Sequence, residues 1–230
     1  MTNYSETKMI KIQVSEEIRA VCPAFVGAAL EARFTNTAYS APLWEEIKAF
    51  QTDYCRKYTT DSLKEMPAIQ ATRAVYKRCG KDPSRYRPAA EALVRRMLKG
   101  HDLYQIDTAV DLINLASIAY GYSIGGFDAD KISGDALVLG IGRAGEPYEG
   151  IGRGPLNIEG LPVYRDRDGG IGTPTSDHER TKLGLSSTRL LALVNGYDGN
   201  RSQVLACAEF MQQLLRKYAG SDGGSIHLYE

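Results

Sequence analysis

The sequence predicts an α+β protein with helices in its N-terminal third, a mixed, largely antiparallel and sandwich-like sheet after residue 130, and a C-terminal helix. Apolar residues recur at helical spacing before residue 100, and short apolar runs bounded by glycine and aspartate follow residue 130. The 230 residues are 43% hydrophobic, which is enough for a sizeable core. We predict an N-terminal strand and helical region, 1–70, packed on a main domain, 71–230, in one compact unit.

The first elements show one strand pattern and then helix patterns. "KMIKIQVS" alternates apolar and polar residues and predicts a strand, after which Ser15 is placed to cap a short helix. "APLWEEIKAFQTDYCRKY" carries Leu43, Ile47, Phe50 and Tyr54 at helical spacing, and the helical pattern resumes in "PAIQATRAVYKRCG". We therefore expect the first third of the chain to be largely helical.

The segment "DPSRYRPAAEALVRRMLKG" has clear helix boundaries. Pro88 suits the first helical position, and Gly100 suits a C-terminal cap. Because the apolar residues of this helix form one stripe, Glu91, Arg95 and Lys99 are expected on the outward face.

The helix predicted between residues 105 and 120 is apolar around most of its circumference but carries one polar stripe. Asp107, Asp111, Asn114 and Ser117 are spaced four, three and three, which places them on one face. Buried polar side chains usually bond to the backbone of neighbouring loops, and we expect this of Asp107 and Asp111. For Asn114 the alternative to such a structural role is that it faces a pocket, which is the interpretation we prefer.

The second half of the chain has strand and turn patterns. "GDALVLGIG", "LPVYRDRDGG" and "STRLLALVNG" are short apolar runs that predict strands, and "AGEPY" and "DRDGG" predict turns. "SQVLACAEFMQQLLRKYAG" repeats apolar residues at spacings of four and three, so it predicts a closing amphipathic helix that stops at a glycine.

The composition argues against several classes of protein. Four scattered cysteines form no metal or redox motif, and no pattern indicates a cofactor. The N-terminal segment lacks the apolar core of a signal peptide, and no segment approaches the roughly 20 apolar residues that span a bilayer. We expect a reduced, cytoplasmic protein with no metal, no cofactor and no membrane partner.

Positive charge is concentrated in residues 71–100. The whole chain has 28 basic and 28 acidic residues, but this segment has nine basic and two acidic residues, a local charge of +7, so the remainder carries 19 and 26, or −7. Such a segment predicts contacts with phosphates, and the alternative is a solvated basic face. The nine residues are Arg73, Lys77, Arg78, Lys81, Arg85, Arg87, Arg95, Arg96 and Lys99.

A long ordered pattern resembles a known family. "SRYRPAAEALVRRMLKGHDLYQIDTAVDLINLASIAYGYSIGGFDADKISGDALVLGIGRAGEPY" combines a basic helix, a "VDLIN" helix, a small-residue turn ending in "FD", then "DKISGD", a strand and "GEPY". The order and spacing resemble the B3/B4 domain of the phenylalanyl-tRNA synthetase beta subunit, and more closely the standalone proteins built from that domain. The resemblance covers roughly residues 70–195.

The resemblance implies an editing module that holds the 3′ end of a mischarged tRNA and hydrolyses its aminoacyl ester. By position, Asn114 matches the family's pocket asparagine. Gly125 stands where the synthetase has a histidine, and Val194 stands nearest to its glutamate. Both residues that sense a tyrosine hydroxyl in the synthetase are therefore absent, which argues against that specificity. Gly125 and Gly126 are expected to allow a backbone or ligand to approach closely.

The loop "TPTSDHERTKLGLSST" occupies the region where standalone members have residues flanking the pocket. Asp177 or His178 is a candidate to order a water molecule, and Arg180 is a candidate to hold a phosphate or a carboxyl oxygen. Thr181 and Thr188 are further candidates for the pocket wall. The alternative is an exposed polar loop.

The leading functional prediction is tRNA binding, with an aminoacyl-tRNA 3′ end as the partner and hydrolysis in trans as the activity. An aminoacyl ester is already activated, so a positioned water and a few hydrogen-bond donors suffice, and the lack of a nucleophile motif is no obstacle. The alternative is a non-catalytic module that binds tRNA, an amino-acid-like ligand or a protein. The sequence leaves the choice between these open.

Overall fold

Two four-stranded sheets pack against each other, and helices cover the outer face of one of them. A computed structural model of the chain describes residues 9–230. The strands are β1 (Lys11–Val14), β2 (Val26–Arg33), β3 (Ile124–Asp128), β4 (Ala136–Ile141), β5 (Glu149–Gly150), β6 (Gly154–Pro155), β7 (Pro162–Asp166), β8 (Gly169–Gly172), β9 (Arg189–Gly196) and β10 (Ser225–Tyr229). The helices are α1 (Glu16–Val21), α2 (Ala41–Lys57), α3 (Pro67–Arg78), α4 (Ala89–Leu98), α5 (Thr108–Tyr120) and α6 (Arg201–Tyr218), with short 3₁₀ helices at Thr60–Glu65, Ala129–Lys131 and Glu179–Thr181.

The sheets are mixed but mostly antiparallel. The central sheet has the order β10-β2-β9-β3, and all of its pairings are antiparallel. The second sheet has the order β1-β4-β7-β8, in which only the β1 and β4 pairing is parallel among the described strands. β5 and β6 form a separate short hairpin. This architecture confirms the predicted α+β class.

The core has two layers, one on each face of the central sheet. Alternate residues of β2 and β9 point to opposite sides, as strand geometry requires. Ala28 and Val194 pack against the helices, whereas Ala29 and Leu193 pack against the second sheet. Because both faces of the central sheet are covered, its strands carry nearly continuous apolar runs.

Most of the predicted elements are present. Ser15 caps α1 through its side chain, and α2, α3, α4 and α6 lie where helical spacing places them. The strand predicted in "KMIKIQVS" is observed as β1, and its first residue, Lys8, lies outside the described residues. Pro88 precedes the first helical residue of α4 by one position.

Three strands differ from the expectation. β2 lies in the first third of the chain, which we expected to be largely helical, and β3 forms where a small-residue turn was expected. β10 follows α6, so the described chain ends in a strand and not in a helix. The proposed division at residue 70 stays a prediction, and β2 from the first segment pairs with β9 and β10.

The predicted position of Glu91 on α4 is also wrong. We expected it on the outward face of α4, but only 1% of it is exposed. Arginine side chains from α3 and α4 donate to its carboxylate, and these partners make its burial tolerable.

None of the helices in residues 9–230 has both the length and the apolar composition of a bilayer-spanning segment.

The start of α5 is tied to α2 by a buried hydrogen bond. Trp44 Nε1 donates to Asp111 Oδ2 at 2.7 Å, and the Ile106 N–H donates to Asp111 Oδ1 at 3.0 Å. Only 2% of Asp111 is exposed, and burial raises the pKa of this carboxyl although both bonds oppose the rise. The bond to Trp44 therefore offsets part of the cost of burying an acid.

We predict that Trp44→Phe lowers the free energy of unfolding by about 1–3 kcal/mol, because a buried carboxylate oxygen loses its donor. Tyr39→Phe is the control, since 50% of Tyr39 is exposed and it should change little. Urea unfolding followed by far-UV circular dichroism measures both stabilities. Tryptophan fluorescence is unsuitable, because Trp44 is the sole tryptophan and its substitution removes the signal. Equal stabilities of the two variants would contradict the structural role of this bond.

Candidate functional site

The polar stripe of α5 separates into three bonded side chains and one free side chain. Asp107 caps the helix by accepting from the Val110 N–H, Asp111 is bonded as described, and Ser117 Oγ donates to the Tyr122 carbonyl at 2.7 Å. Asn114 is only partly buried, and its side-chain amide has no hydrogen bond to any described residue. Its amide is therefore available to a ligand.

Asn114 faces a cleft of about 370 Å³ between α5, β3 and the segment 177–183. The walls are mainly aliphatic, and two of the wall residues at the mouth, Ile106 and Ile151, are 56% and 40% exposed. An apolar cleft with a few convergent polar groups is the usual form of a small-ligand site. The lining residues are Ile106, Val110, Ile113, Asn114, Ile124, Gly126, Ile151, Asp177, Lys182 and Leu183.

Asp177 supplies an acidic group to the same cleft. Its Oδ2 accepts from the Gly126 N–H at 3.0 Å, which attaches the loop to the free edge of β3. Its Oδ1 has no hydrogen bond within the described part of the chain. Burial raises the pKa of the Asp177 carboxyl to about 7, although the Gly126 N–H opposes the rise. This carboxyl can therefore gain or lose a proton near neutral pH.

The two glycines of β3 face opposite sides of the sheet. A Cβ on Gly126 would lie 2.7 Å from Ile113 Cδ1, on the cleft side. A Cβ on Gly125 would lie 2.6 Å from Phe127 Cζ, on the side of the second sheet. Gly125 thus makes room for the Phe127 ring and does not line the cleft, and a side chain at this position requires Phe127 to move.

His178 points away from the cleft lining. Its Nδ1 accepts from the Arg180 N–H at 2.9 Å, and its ring packs edge-on against Tyr148 with centroids 4.9 Å apart. Burial, together with the charge of Arg180, lowers its pKa. The structure therefore uses His178 to cap the 3₁₀ helix at Glu179–Thr181.

The remaining loop candidates also lie outside the cleft lining. Arg180 makes a two-pronged ion pair with Asp166, with both N–O distances at 2.9 Å. Thr181 is fully buried and its Oγ1 has no partner among the described residues, while Thr188 is exposed. The loop is thus largely occupied with joining β3, β8 and the β5 and β6 hairpin, through bridges at Asp177, His178 and Lys182.

Comparison with known proteins identifies the domain. The family model described as the B3/4 domain matches residues 71–220. The chain belongs to the B3/4 domain family. Among solved structures, the B3/4 protein is similar to an N-terminal fragment of the phenylalanyl-tRNA synthetase beta subunit from Pyrococcus horikoshii, with 16% identity and a TM-score of 0.47. The match covers 96% of this chain and 52% of that one, so the chain spans about half of its length. None of the curated proteins matches this chain.

The B3/4 region contains the nine basic residues, and six of them are bonded within the protein. Arg73, Arg87 and Arg95 surround Glu91. Arg78 donates to the Val21 carbonyl, the buried Lys81 donates to the Asn157 carbonyl, and Arg96 donates to Tyr104 Oη. The three that have no hydrogen bond or ion pair to a described residue are Lys77, Arg85 and Lys99.

Several contributors to the cleft of the B3/4 protein were not candidates from its sequence. Ile151 and Leu183 lie in loops without periodicity, so no local pattern indicates which way they face. Gly172 lies outside the cleft lining, where it leaves space for the Phe127 ring and for Asp177 Oδ1. A Cβ on Gly172 would lie 2.4 Å from Phe127 Cζ and 2.9 Å from Asp177 Oδ1. Residues 9–230 hold no group of three His, Cys, Asp or Glu side chains placed to bind a metal ion.

We predict that Asp177→Asn changes how stability depends on pH. Burial raises the folded-state pKa from 3.8 to about 7, so between these values the folded protein holds a proton that the unfolded chain has lost. The free energy of unfolding therefore falls as the pH rises through this window. Asparagine does not ionise, so the free energy of unfolding of the variant does not fall in this way. As the pH rises through the window, the stability of the variant relative to the parent therefore increases by up to roughly 4 kcal/mol, and by less where solvent in the cleft screens the charge.

Urea unfolding at a series of pH values from 4 to 8 tests this. Asp102→Asn is the matched control, because Asp102 is exposed and its side chain has no partner among the described residues. A stability difference between the Asp177 variant and the parent that stays constant across the series would show that this carboxyl titrates normally.

Proposed function

We propose that the cleft binds the aminoacylated 3′ end of a tRNA and that the protein hydrolyses the ester between the amino acid and the ribose. The observation that carries this proposal is that Asn114 and Asp177 both line one apolar cleft, and that the Asn114 amide has no hydrogen-bond partner among the described residues. Membership of the B3/4 family supports it, since the sequence pattern of this region resembles the editing domain of the phenylalanyl-tRNA synthetase beta subunit. Such a substrate implies a cytoplasmic location, which is part of the proposal.

The chemistry needs one water molecule and two side chains. The water oxygen attacks the ester carbonyl carbon, and the Asp177 carboxylate accepts the water proton. The bond from the carbonyl carbon to the ribose oxygen then breaks, and that oxygen takes up the proton as it leaves. The Asn114 amide orients the carbonyl oxygen by donating a hydrogen bond to it. A base whose pKa lies near 7 suits this role at neutral pH.

The walls of the cleft favour an amino acid with an apolar side chain. Apart from Asn114 and Asp177, its lining offers only Lys182 as a polar side chain, and the ammonium group of Lys182 is paired with Glu179. Because no further free polar side chain in the lining would bond to a tyrosine hydroxyl, the cleft should not bind a tyrosyl group more tightly than an apolar one.

A binding-only module is the second candidate, and one observation favours it. Val194, at the position nearest to the synthetase glutamate, is fully buried in β9 and pairs with Ile124 of the cleft wall. The cleft therefore lacks a second acidic group behind Ile124. In this case the protein would hold a charged tRNA without hydrolysing it.

We predict that the purified protein deacylates at least one mischarged tRNA from a panel and that Asn114→Ala lowers this rate about 10²-fold, the usual effect of losing one oriented donor. Gln203→Ala is the control, because it removes an amide from an exposed position on α6. Release of the labelled amino acid over time measures all three proteins.

If the Asn114 variant hydrolyses the substrate as fast as the parent, the reaction does not take place in this cleft. No hydrolysis of any species, with retained tRNA binding, would favour the binding-only module.

We further predict that Lys77→Ala and Lys99→Ala each weaken tRNA binding and reduce the slope of log affinity against log salt by about one. Both side chains are exposed and have no described partner, so they are free to contact phosphates. Lys48→Ala is the control, since it removes the same charge from an exposed position on α2. Fluorescence anisotropy with labelled tRNA at several salt concentrations gives the slopes. If the slopes of Lys77→Ala and Lys99→Ala equal the slope of the parent, these two lysines do not contact the phosphates.

A further inference from the structure

Three arginine side chains converge on one buried carboxylate, Glu91. Arg73 Nη1 lies 3.1 Å from Oε1 and 2.9 Å from Oε2, and Arg95 Nε lies 2.8 Å from Oε1. Arg87 Nε lies 3.8 Å from Oε1. Only 1% of the Glu91 side chain is exposed, whereas 21%, 34% and 45% of Arg73, Arg95 and Arg87 are exposed. Glu91 is thus the inner anchor of an arginine cluster that reaches the surface.

This arginine cluster has more positive charge than its anchor can balance. One guanidinium group is enough to neutralise Glu91, so the four side chains together carry a net charge of +2. Like charges held this close repel one another. No other acidic side chain pairs with the three arginines within the described residues. An anion bound at the outer side of the cluster would relieve this repulsion.

The contacts to Glu91 leave the outer donors of two arginines free. Arg95 uses only its Nε, and Arg87 also approaches Glu91 through its Nε. The Nη1 and Nη2 groups of both residues have no partner in the described part of the chain. Guanidinium groups with two free N–H donors match the geometry of phosphate oxygens.

The arginine cluster lies next to the elements that build the cleft. The Ala89 N–H donates to the Pro174 carbonyl at 2.7 Å, three residues before Asp177. The Ala90 N–H donates to Ser123 Oγ at 3.3 Å, one residue before β3 begins. The start of α4, between Arg87 and Arg95, is therefore bonded to both segments that lead into the cleft.

We infer that Arg87 and Arg95, oriented by Glu91 together with Arg73, form a preformed site for a phosphate group of an RNA backbone near the 3′ end. This inference rests on the proposed binding of tRNA. It assigns to Glu91 the role of a positioning residue, because the carboxylate does not touch the ligand but fixes the directions of the guanidinium groups that do.

Glu91→Gln separates this inference from simple charge attraction. The substitution keeps the size of the side chain and adds one unit of positive charge to the surface region, so long-range attraction alone predicts tighter RNA binding. If the carboxylate positions the arginines, binding instead weakens by roughly 3- to 10-fold, because charge-assisted hydrogen bonds to the phosphate lose their alignment. The two explanations predict changes of opposite sign.

The experiment measures the affinity of the full chain for an RNA hairpin with a single-stranded CCA 3′ end. Asp82→Asn is the matched control, because it adds the same charge in the adjacent loop and keeps the oxygen that accepts from the Ser84 N–H. Arg95→Lys keeps the charge but loses the fork of donors, and we expect about 10-fold weaker binding. Circular dichroism verifies that each variant is folded.

Weaker binding by Glu91→Gln and Arg95→Lys, with unchanged or tighter binding by Asp82→Asn, supports the site. Binding by Glu91→Gln that is as tight as that of Asp82→Asn overturns it, and the proposed function then survives without it.

A second measurement remains informative if the protein binds no RNA. Titration with inorganic phosphate, followed by the ¹H–¹⁵N signals of the arginine Nε–H groups, should shift the Arg95 signal in the parent and not in Glu91→Gln. Such a shift without RNA binding would assign the site to a free phosphate compound and overturn the proposed tRNA binding. No shift and no RNA binding would overturn both.

Discussion

β9 is buried on both faces, and its hydrogen bonds fix the positions of β2 and β3 on either side of it. It pairs with β2 over eight residues and with β3 over five. Because side chains alternate along a strand, this register decides that Gly126 faces the cleft and Gly125 faces the second sheet. A shift of β3 by one residue would exchange the two glycines and move the N–H that holds Asp177. The geometry of the cleft is therefore a consequence of strand pairing.

The amphipathic helices could be predicted from the sequence, whereas β2 and β10 could not. A surface helix shows its buried face as a repeat of three and four residues, which is visible within the helix itself. β2 reads "VGAALEAR" and is covered on both faces, so it lacks the alternation that identifies a strand. β10 follows a glycine-rich turn, and its strand character comes from pairing with β2, about 200 residues earlier. Such long-range pairing leaves no local pattern.

The same distinction separates the residues of the candidate site. Helix geometry alone places the four polar residues of α5 on one face, so their shared direction could be predicted from the sequence. On this face Asp107 and Asp111 bond to the protein and Asn114 lines the cleft, while a functional role for Asn114 stays a prediction. Asp177 was a candidate, but its contact with Gly126 joins segments 51 residues apart. The burial of Glu91 depends on Arg73, 18 residues earlier and on another helix. Tertiary contacts of this kind decide whether a charged side chain is exposed.

Glu91 and Asp177, two acids of the B3/4 region, differ in the groups that surround their carboxyl oxygens. Glu91 is held by the guanidinium groups of Arg73 and Arg95, so it acts as a fixed anchor. Among the described residues Asp177 has a single hydrogen-bond donor, the Gly126 N–H, and burial raises the pKa of its carboxyl to about 7. A phosphate beside Asp177 would raise this pKa further, because like charges disfavour ionisation, whereas the ammonium group of an aminoacyl ester would lower it. If the proposed substrate binds here, arginines that neutralise the phosphates would therefore keep Asp177 able to act as a base at neutral pH.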